Sequence, residues 1–217
     1  MTLDRSRTLY NSVIMVRAKA QLNEWSIDGV AVEDLPRPLL LFFHADAIEL
    51  IESDVSPWIA LAGQSGIDLA YCTTAWQRRR SSEPAGAARS SSLVQFWSHW
   101  LDCWRTGNRT VPGDHSVLIR LTRAQCELGW QESLEAILAA ASLEIALHVR
   151  FEVSAWHSLL GFPDQRRAWQ QLLDFELADL EVLGLDPDPD EAALGVRYAA
   201  DDRTEAVPLP ARRLDLS

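Results

Sequence analysis

The chain repeats itself. Trp58 stands ten residues before Asp68-Leu69, and Trp169 stands ten residues before Asp179-Leu180, both members offset by 111 positions. Upstream, Phe43 followed by Asp46-Ala47-Ile48 matches Phe151 followed by Ser154-Ala155-Trp156, at an offset of 108. A repeat of this period constrains the fold strongly, because roughly 110 residues is enough to close a core of its own. The 217 residues therefore divide into two expected domains, 1–112 and 113–217.

Within each copy, apolar runs alternate with helical patterns. Leu39–Phe43 is a continuous apolar run of the kind central parallel strands use, and Ile67–Tyr71 is a short apolar run such as a buried strand would use. Ser116–Leu121, Ile145–Phe151 and Ala178–Leu183 read as strands too. The spacing predicts helices over Tyr10–Trp25, Trp58–Gln64, Leu93–Arg105, Trp130–Leu143 and Arg167–Leu173, with a helical turn at Ile48–Ile51. Tyr10–Trp25 and Trp130–Leu143 take equivalent places in the two copies. Residues 26–38, 81–92 and 186–190 read as loops, and 81–92, small and polar, reads as a connection or lid after the cysteine segment. Asn108–Val111 reads as a short last strand, and the tail around Val207 and Leu214–Leu216 as short edge strands. Strand–helix alternation with buried strands predicts an α/β fold of two tandem domains, each a mostly parallel sheet flanked by helices.

Composition excludes several function classes. The formal net charge of −11 argues against direct nucleic-acid binding, which lysine and arginine drive. It suits a basic protein partner. Cys72, Cys103 and Cys126 are odd in number and widely spaced, with no CxxC pair or His/Cys cluster, so neither zinc nor a disulfide framework is expected. A reducing, cytoplasmic compartment follows. The run Val13–Val16 ends at Arg17, too short for a signal peptide, and no stretch approaches the roughly 20 apolar residues of a membrane span.

The chemistry centres on Gly66–Arg80. Cys72 closes a strand, small and hydroxyl residues follow, then Arg78, Arg79 and Arg80. A cysteine at the carboxyl end of a parallel strand lies on the edge where open α/β sheets place their chemistry. Backbone amides of a following helix and nearby guanidinium groups would favour thiolate. The alternative is a small buried cysteine that only ends a strand. At the 111 offset Cys72 corresponds to Leu183, so the scaffold occurs twice and the thiol once. Cys126, after the first strand of the second copy, is a further candidate on the same kind of edge. Trp97, Trp100, Leu101 and Trp104 share one helix face, either core or a subunit contact surface. His99 and Cys103 also lie one turn apart, without a visible third member for nucleophilic catalysis.

The first copy resembles the DsrE-like family of sulfur-relay proteins, in its TusD/DsrE branch. Leu41-Phe42-Phe43-His44-Ala45-Asp46-Ala47 is similar to the family's strand ending in FF before an acidic turn. Gly66-Ile67-Asp68-Leu69-Ala70-Tyr71-Cys72-Thr73-Thr74-Ala75-Trp76-Gln77-Arg78-Arg79 looks like its strand, Cys, small-residue turn and Arg pair. Phe96…Trp100-Leu101…Arg109-Thr110-Val111 resembles its last helix and closing strand. The second copy resembles the partner TusC/DsrF branch, in the helix Glu132–Ala141 and in Phe151…Ala155-Trp156…Leu159-Leu160, read as strand and turn. Three departures stand out: no clear strand precedes Tyr10, Arg80 stands where Gly is usual, and the second copy is weak in its C-terminal region.

The resemblance implies a sulfur carrier that holds sulfane sulfur as a persulfide on Cys72, with Arg78 and Arg79 supplying positive field. It implies a TusA-like donor, a TusE/DsrC-like acceptor, a possible TusB/DsrH-like third subunit, and a homo- or hetero-oligomer. The pathway would be thiolation of the tRNA wobble uridine or dissimilatory sulfur oxidation, with no cofactor and no metal. The sulfur must be accessible for this task. A non-catalytic interaction module of the same family is the alternative. A thiol enzyme of another type would need a base or resolving thiol beside Cys72, from His44, His99 or Cys126.

Overall fold

The computed structural model describes residues 9–17, 22–23, 26–27, 30–51, 57–61, 64, 66–80, 88–107, 116–184, 196–199 and 213–215. The chain divides into two compact units, Met1–Pro112 and Gly113–Ser217.

The first unit carries a four-stranded parallel sheet in the order β1 (Ser12–Val16), β5 (Leu39–Phe43), β6 (Ile67–Cys72), β7 (Arg89–Ser91). Three two-residue strands, β2 (Leu22–Asn23), β3 (Ser26–Ile27) and β4 (Val30–Ala31), form a separate antiparallel sheet between β1 and β5 in sequence. A 3₁₀ stretch, Ala45–Ile51, and helix α1 (Pro57–Leu61) link β5 to β6. Helix α2 (Thr73–Arg79) follows β6, and α3 (Leu93–Gly107) follows β7. The fully buried Leu39–Phe43 is the hydrophobic centre, as a strand covered on both faces requires. Phe42 packs on Phe96 of α3 at 5.0 Å, and Tyr71 on Trp76 of α2 at 5.3 Å, so opposite faces of the sheet meet different helices.

The second unit carries a five-stranded parallel sheet in the order β11 (Arg197–Ala199), β10 (Asp179–Leu183), β9 (Ala146–Phe151), β8 (Ser116–Leu121), β12 (Arg213–Asp215). Helices α4 (Glu127–Ala141), α5 (Val153–Leu160) and α6 (Pro163–Asp174) connect its strands. Its core is an aromatic cluster: Phe151 lies 5.4 Å from Trp169 and 5.3 Å from Trp156, and Trp130 lies 5.7 Å from Trp169, with near-perpendicular or steeply tilted rings.

The repeat is one of register. Val16, Phe43 and Tyr71 are level across the first sheet, and Leu121, Phe151 and Val182 are level across the second. Strands β8 to β11 thus repeat β1 and β5 to β7 in order.

Several expectations are corrected. Tyr10–Trp25 is not a helix. Its β-branched run Val13-Ile14…Val16 pairs along β5 as a strand, because hydrogen bonding to a buried neighbour outweighs a short 3.6-residue coincidence. The opening strand that was not found before Tyr10 is therefore this one, and the element equivalent to it is β8, not α4. Part of the 81–92 loop is strand β7, while residues 81–87 lie outside the described residues. The run after Phe151, expected to turn, is helix α5, whose Trp156 and Leu159 are buried. Within residues 26–38, β3, β4 and a 3₁₀ turn at Val32–Asp34 replace plain loop. Asn108–Val111, 186–190 and Val207 lie outside the described residues. The expected edge strand of the tail is β12, spanning Arg213–Asp215, and β11 is an edge strand that was not expected.

Candidate functional site

The strand register builds the site. One step beyond Val16, Phe43 and Tyr71 come Arg17, His44 and Cys72, and Cys72 is level with Ser91. These four residues form a row along the carboxyl edge of the first sheet, where parallel α/β sheets host ligands. The ladder continues through the row: the His44 amide donates to the Val16 carbonyl at 2.9 Å, and the Ala47 amide to the Arg17 carbonyl at 3.0 Å. Residues level across a sheet share a face. Arg17 and His44 accordingly touch, the Arg17 Nε–H donating to His44 Nδ1 at 3.3 Å.

All three chemical members are buried. His44 is 0% exposed, Cys72 2% and Arg17 3%. Burial pushes the His44 pKa well below the usual histidine value, and the positive charges of Arg17, Arg79 and Arg78 push it the same way. His44 is thus neutral. Its Nε2 has no hydrogen-bond partner among the described residues. The next residue, Ala45, has a left-handed backbone, φ 52°. Such a conformation costs an alanine about 1–2 kcal/mol, strain of the kind that collects at functional edges.

Cys72 is the N-cap residue of α2, without a side-chain capping bond. It is not in a disulfide. The expected accessible sulfur is corrected: Cys72 lies beneath the surface, because the row faces the side of the sheet that α3 covers through Phe42 and Phe96. Thr73 Oγ1 donates to the Ser91 carbonyl at 2.9 Å, tying the start of α2 to β7. The amino end of α3 lies at the same edge and is closed by a reciprocal cap. The Gln95 amide donates to Ser92 Oγ, and the Ser92 amide to Gln95 Oε1, each at 3.1 Å.

Arg78 and Arg79 lie in the last turn of α2, not beside its first turn. Arg79 pairs with Asp46 at 3.2 Å, bridging α2 to the segment after His44. Both arginines act on His44 through space.

The other candidates lie elsewhere. His99 meets the Tyr10 ring edge-on at 5.1 Å. Tyr10 precedes β1 and donates its hydroxyl proton to Asp68, near the start of β6, at 2.5 Å. His99 therefore serves the amino end of the strands, away from Cys72. Burial and then the Asp68 hydrogen bond push the Tyr10 pKa up to about 12. Trp97, Trp100, Leu101, Cys103 and Trp104 are all buried, so this face is packed and is not an open contact surface. Cys126 is an exposed thiol at the N-cap of α4, after β8. Its loop is pinned by Ser158, whose Oγ accepts from the Gln125 amide at 3.1 Å and from Trp130 Nε1–H at 3.2 Å.

In the second unit the equivalent row reads Thr122, Glu152, Leu183. None of the three chemical groups is repeated. Glu152 instead pairs with Arg120 at 2.8 Å.

Arg17 was missed in the sequence because its segment carries a helical spacing. The available signal was its place one residue beyond an apolar, β-branched run. No family model matches this chain, and neither does any curated protein or solved structure at a significant level. Among the described residues, no helix is long and apolar enough to cross a membrane, and no three His, Cys, Asp or Glu side chains are grouped as a metal ion would need.

Proposed function

We propose that the protein is a cytoplasmic sulfur carrier that holds sulfane sulfur on Cys72. The observation that carries this reading is the Arg17–His44–Cys72 row, present at the carboxyl edge of the first sheet and replaced by Thr122, Glu152 and Leu183 in the second. The scaffold is duplicated and the chemistry is not, so the row is separable from the needs of the fold. In this reading the first unit is TusD/DsrE-like and the second TusC/DsrF-like. A TusA-like protein donates, a TusE/DsrC-like protein accepts, and a TusB/DsrH-like subunit completes the oligomer.

The transfer needs no net redox change. The Cys72 thiolate attacks the outer sulfur of a donor persulfide. A new S–S bond forms at Cys72, the donor's S–S bond breaks, and the donor leaves as thiolate. The reverse attack by an acceptor thiolate unloads the sulfur. Buried as it is, Cys72 exchanges sulfur only when its cover opens, which suits a carrier that must shield a reactive persulfide from water.

The test is to incubate the chain with a sulfur donor and map the modification by mass spectrometry. A gain of one sulfur atom on the Cys72 peptide, lost in Cys72→Ala, is expected. Loading confined to the exposed Cys126, or equal in Cys72→Ala, overturns the reading.

The burial of Cys72 favours a second reading, a non-catalytic interaction module of the same family. It predicts that Cys72→Ala leaves tRNA thiolation or sulfur oxidation intact in cells.

A further inference from the structure

We propose that His44 is the positioning residue for the anionic sulfur of Cys72, its buried Nε2–H donating to the thiolate and, after loading, to the terminal sulfur of the perthiolate. The perthiolate half of this rests on the sulfur-carrier reading, while the thiolate half stands on the geometry of the row.

The tautomer comes first. An arginine side chain has donors and no acceptor. Arg17 Nε–H points at His44 Nδ1, so Nδ1 is the acceptor. A neutral imidazole then carries its one proton on Nε2. That N–H is enclosed in a fully buried side chain and meets no acceptor among the described residues. A buried donor left unpaired costs about 1–3 kcal/mol, and such groups are few in native proteins.

The direction comes next. β5 has two neighbours, β1 and β6. The Nδ1 edge of the ring is held from the β1 side by Arg17. With Nδ1 held by Arg17, Nε2 is the ring's remaining donor, and one step past the Phe43–Tyr71 pair the residue of β6 level with His44 is Cys72. Strands in a sheet lie about 4.8 Å apart, so level side chains on one face are neighbours. Arg17, Arg78 and Arg79 all bear on the ring, and Arg79 pairs with Asp46. A buried N–H without an acceptor is satisfied by an anion, and Cys72 is the row member able to become one. Loading adds one sulfur beyond Sγ, which moves the negative charge outward along the same edge.

The test separates this role from a merely structural one. In His44→Asn the short amide can still accept from Arg17 but cannot place a donor at the Nε2 position. In His44→Gln the amide nitrogen reaches that position. Thiolate formation at Cys72 is read by the absorbance at 240 nm, as the difference between each protein and its Cys72→Ala counterpart through a pH titration. A lost hydrogen bond to a charged group corresponds to a shift of roughly one pH unit or more. The midpoint is expected to rise by that amount in His44→Asn and to return toward the wild-type value in His44→Gln. An unchanged midpoint in His44→Asn overturns the proposal. Should His44→Asn fail to fold, the ¹⁵Nε2 resonance of His44 in the wild-type chain decides. It must follow the ionisation of Cys72 and lose that step in Cys72→Ala, and a resonance blind to Cys72 overturns the proposal. The loading experiment is independent of both. Sulfur on Cys72 with an unshifted midpoint defeats the His44 role alone. A shifted midpoint without loading defeats the carrier reading alone.

Discussion

His44 offers a quantitative test through stability. Its folded-state pKa is depressed, first by burial and then by Arg17, Arg79 and Arg78. In the unfolded chain it titrates near the ordinary histidine value of about 6.5. Above that pH neither state binds the proton and the site contributes no pH dependence. As pH falls below it, the unfolded chain takes up a proton that the folded chain refuses, so stability is lost. The slope approaches about 1.4 kcal/mol per pH unit, and between about pH 7.5 and about pH 5.5 the loss sums to roughly 1.4 kcal/mol. Protonation has no easy outlet here, because Nδ1 already accepts from a guanidinium. The assay is urea unfolding of the chain with and without His44→Asn at both pH values, followed by tryptophan fluorescence. Both proteins carry Cys72→Ala in this comparison, because the Cys72 midpoint itself depends on His44, and the other titrating groups then cancel in the difference. The stability of the protein with His44 relative to its His44→Asn counterpart should fall by roughly 1.4 kcal/mol on acidification. A difference that stays flat would show that folded His44 protonates normally, and the neutral buried ring would be refuted.

Three further outcomes are expected. In the native protein an alkylating reagent should label exposed Cys126 well before buried Cys72 and Cys103, as peptide mapping over time would show, and simultaneous labelling of all three would contradict the burial described here. Gly66 has a left-handed backbone, φ 80°, and an added Cβ would sit 3.3 Å from Arg37 Cβ, so Gly66→Ala should cost about 1–2 kcal/mol in denaturant unfolding, while Ala45→Gly should be neutral or stabilising. Trp97→Ala removes a fully buried ring packed on Phe96 at 5.2 Å and should cost about 3–5 kcal/mol, and a cost below about 1 kcal/mol would place Trp97 outside the core.

Much of the site was legible before any coordinates. Leu39–Phe43 reads as a buried strand, since five apolar residues in a row leave no polar face for solvent, and Ile67–Tyr71 follows the same pattern with Asp68 its one polar residue. That placed His44 and Cys72 at strand ends. Tyr10–Trp25 misled because Val13, Val16 and Ala20 fit a helical face as well as a short strand fits its neighbours. Its resolution lay in β5, a partner distant in sequence, and with it came Arg17. The Trp97–Trp104 stripe was legible as an apolar face but not as to what covers it.

The sequence by itself determined that the chain is duplicated, that its strands are buried, and that the thiol closing the Cys72 strand is replaced by Leu183 at the matching position of the second copy. These are properties of composition and period, which local physics reads directly. Only the tertiary structure decided that Arg17, His44 and Cys72 stand level, that the thiol lies beneath the surface, and that Nε2 of His44 is left to donate. Register and burial depend on which strands pair, and pairing joins residues that the chain keeps far apart.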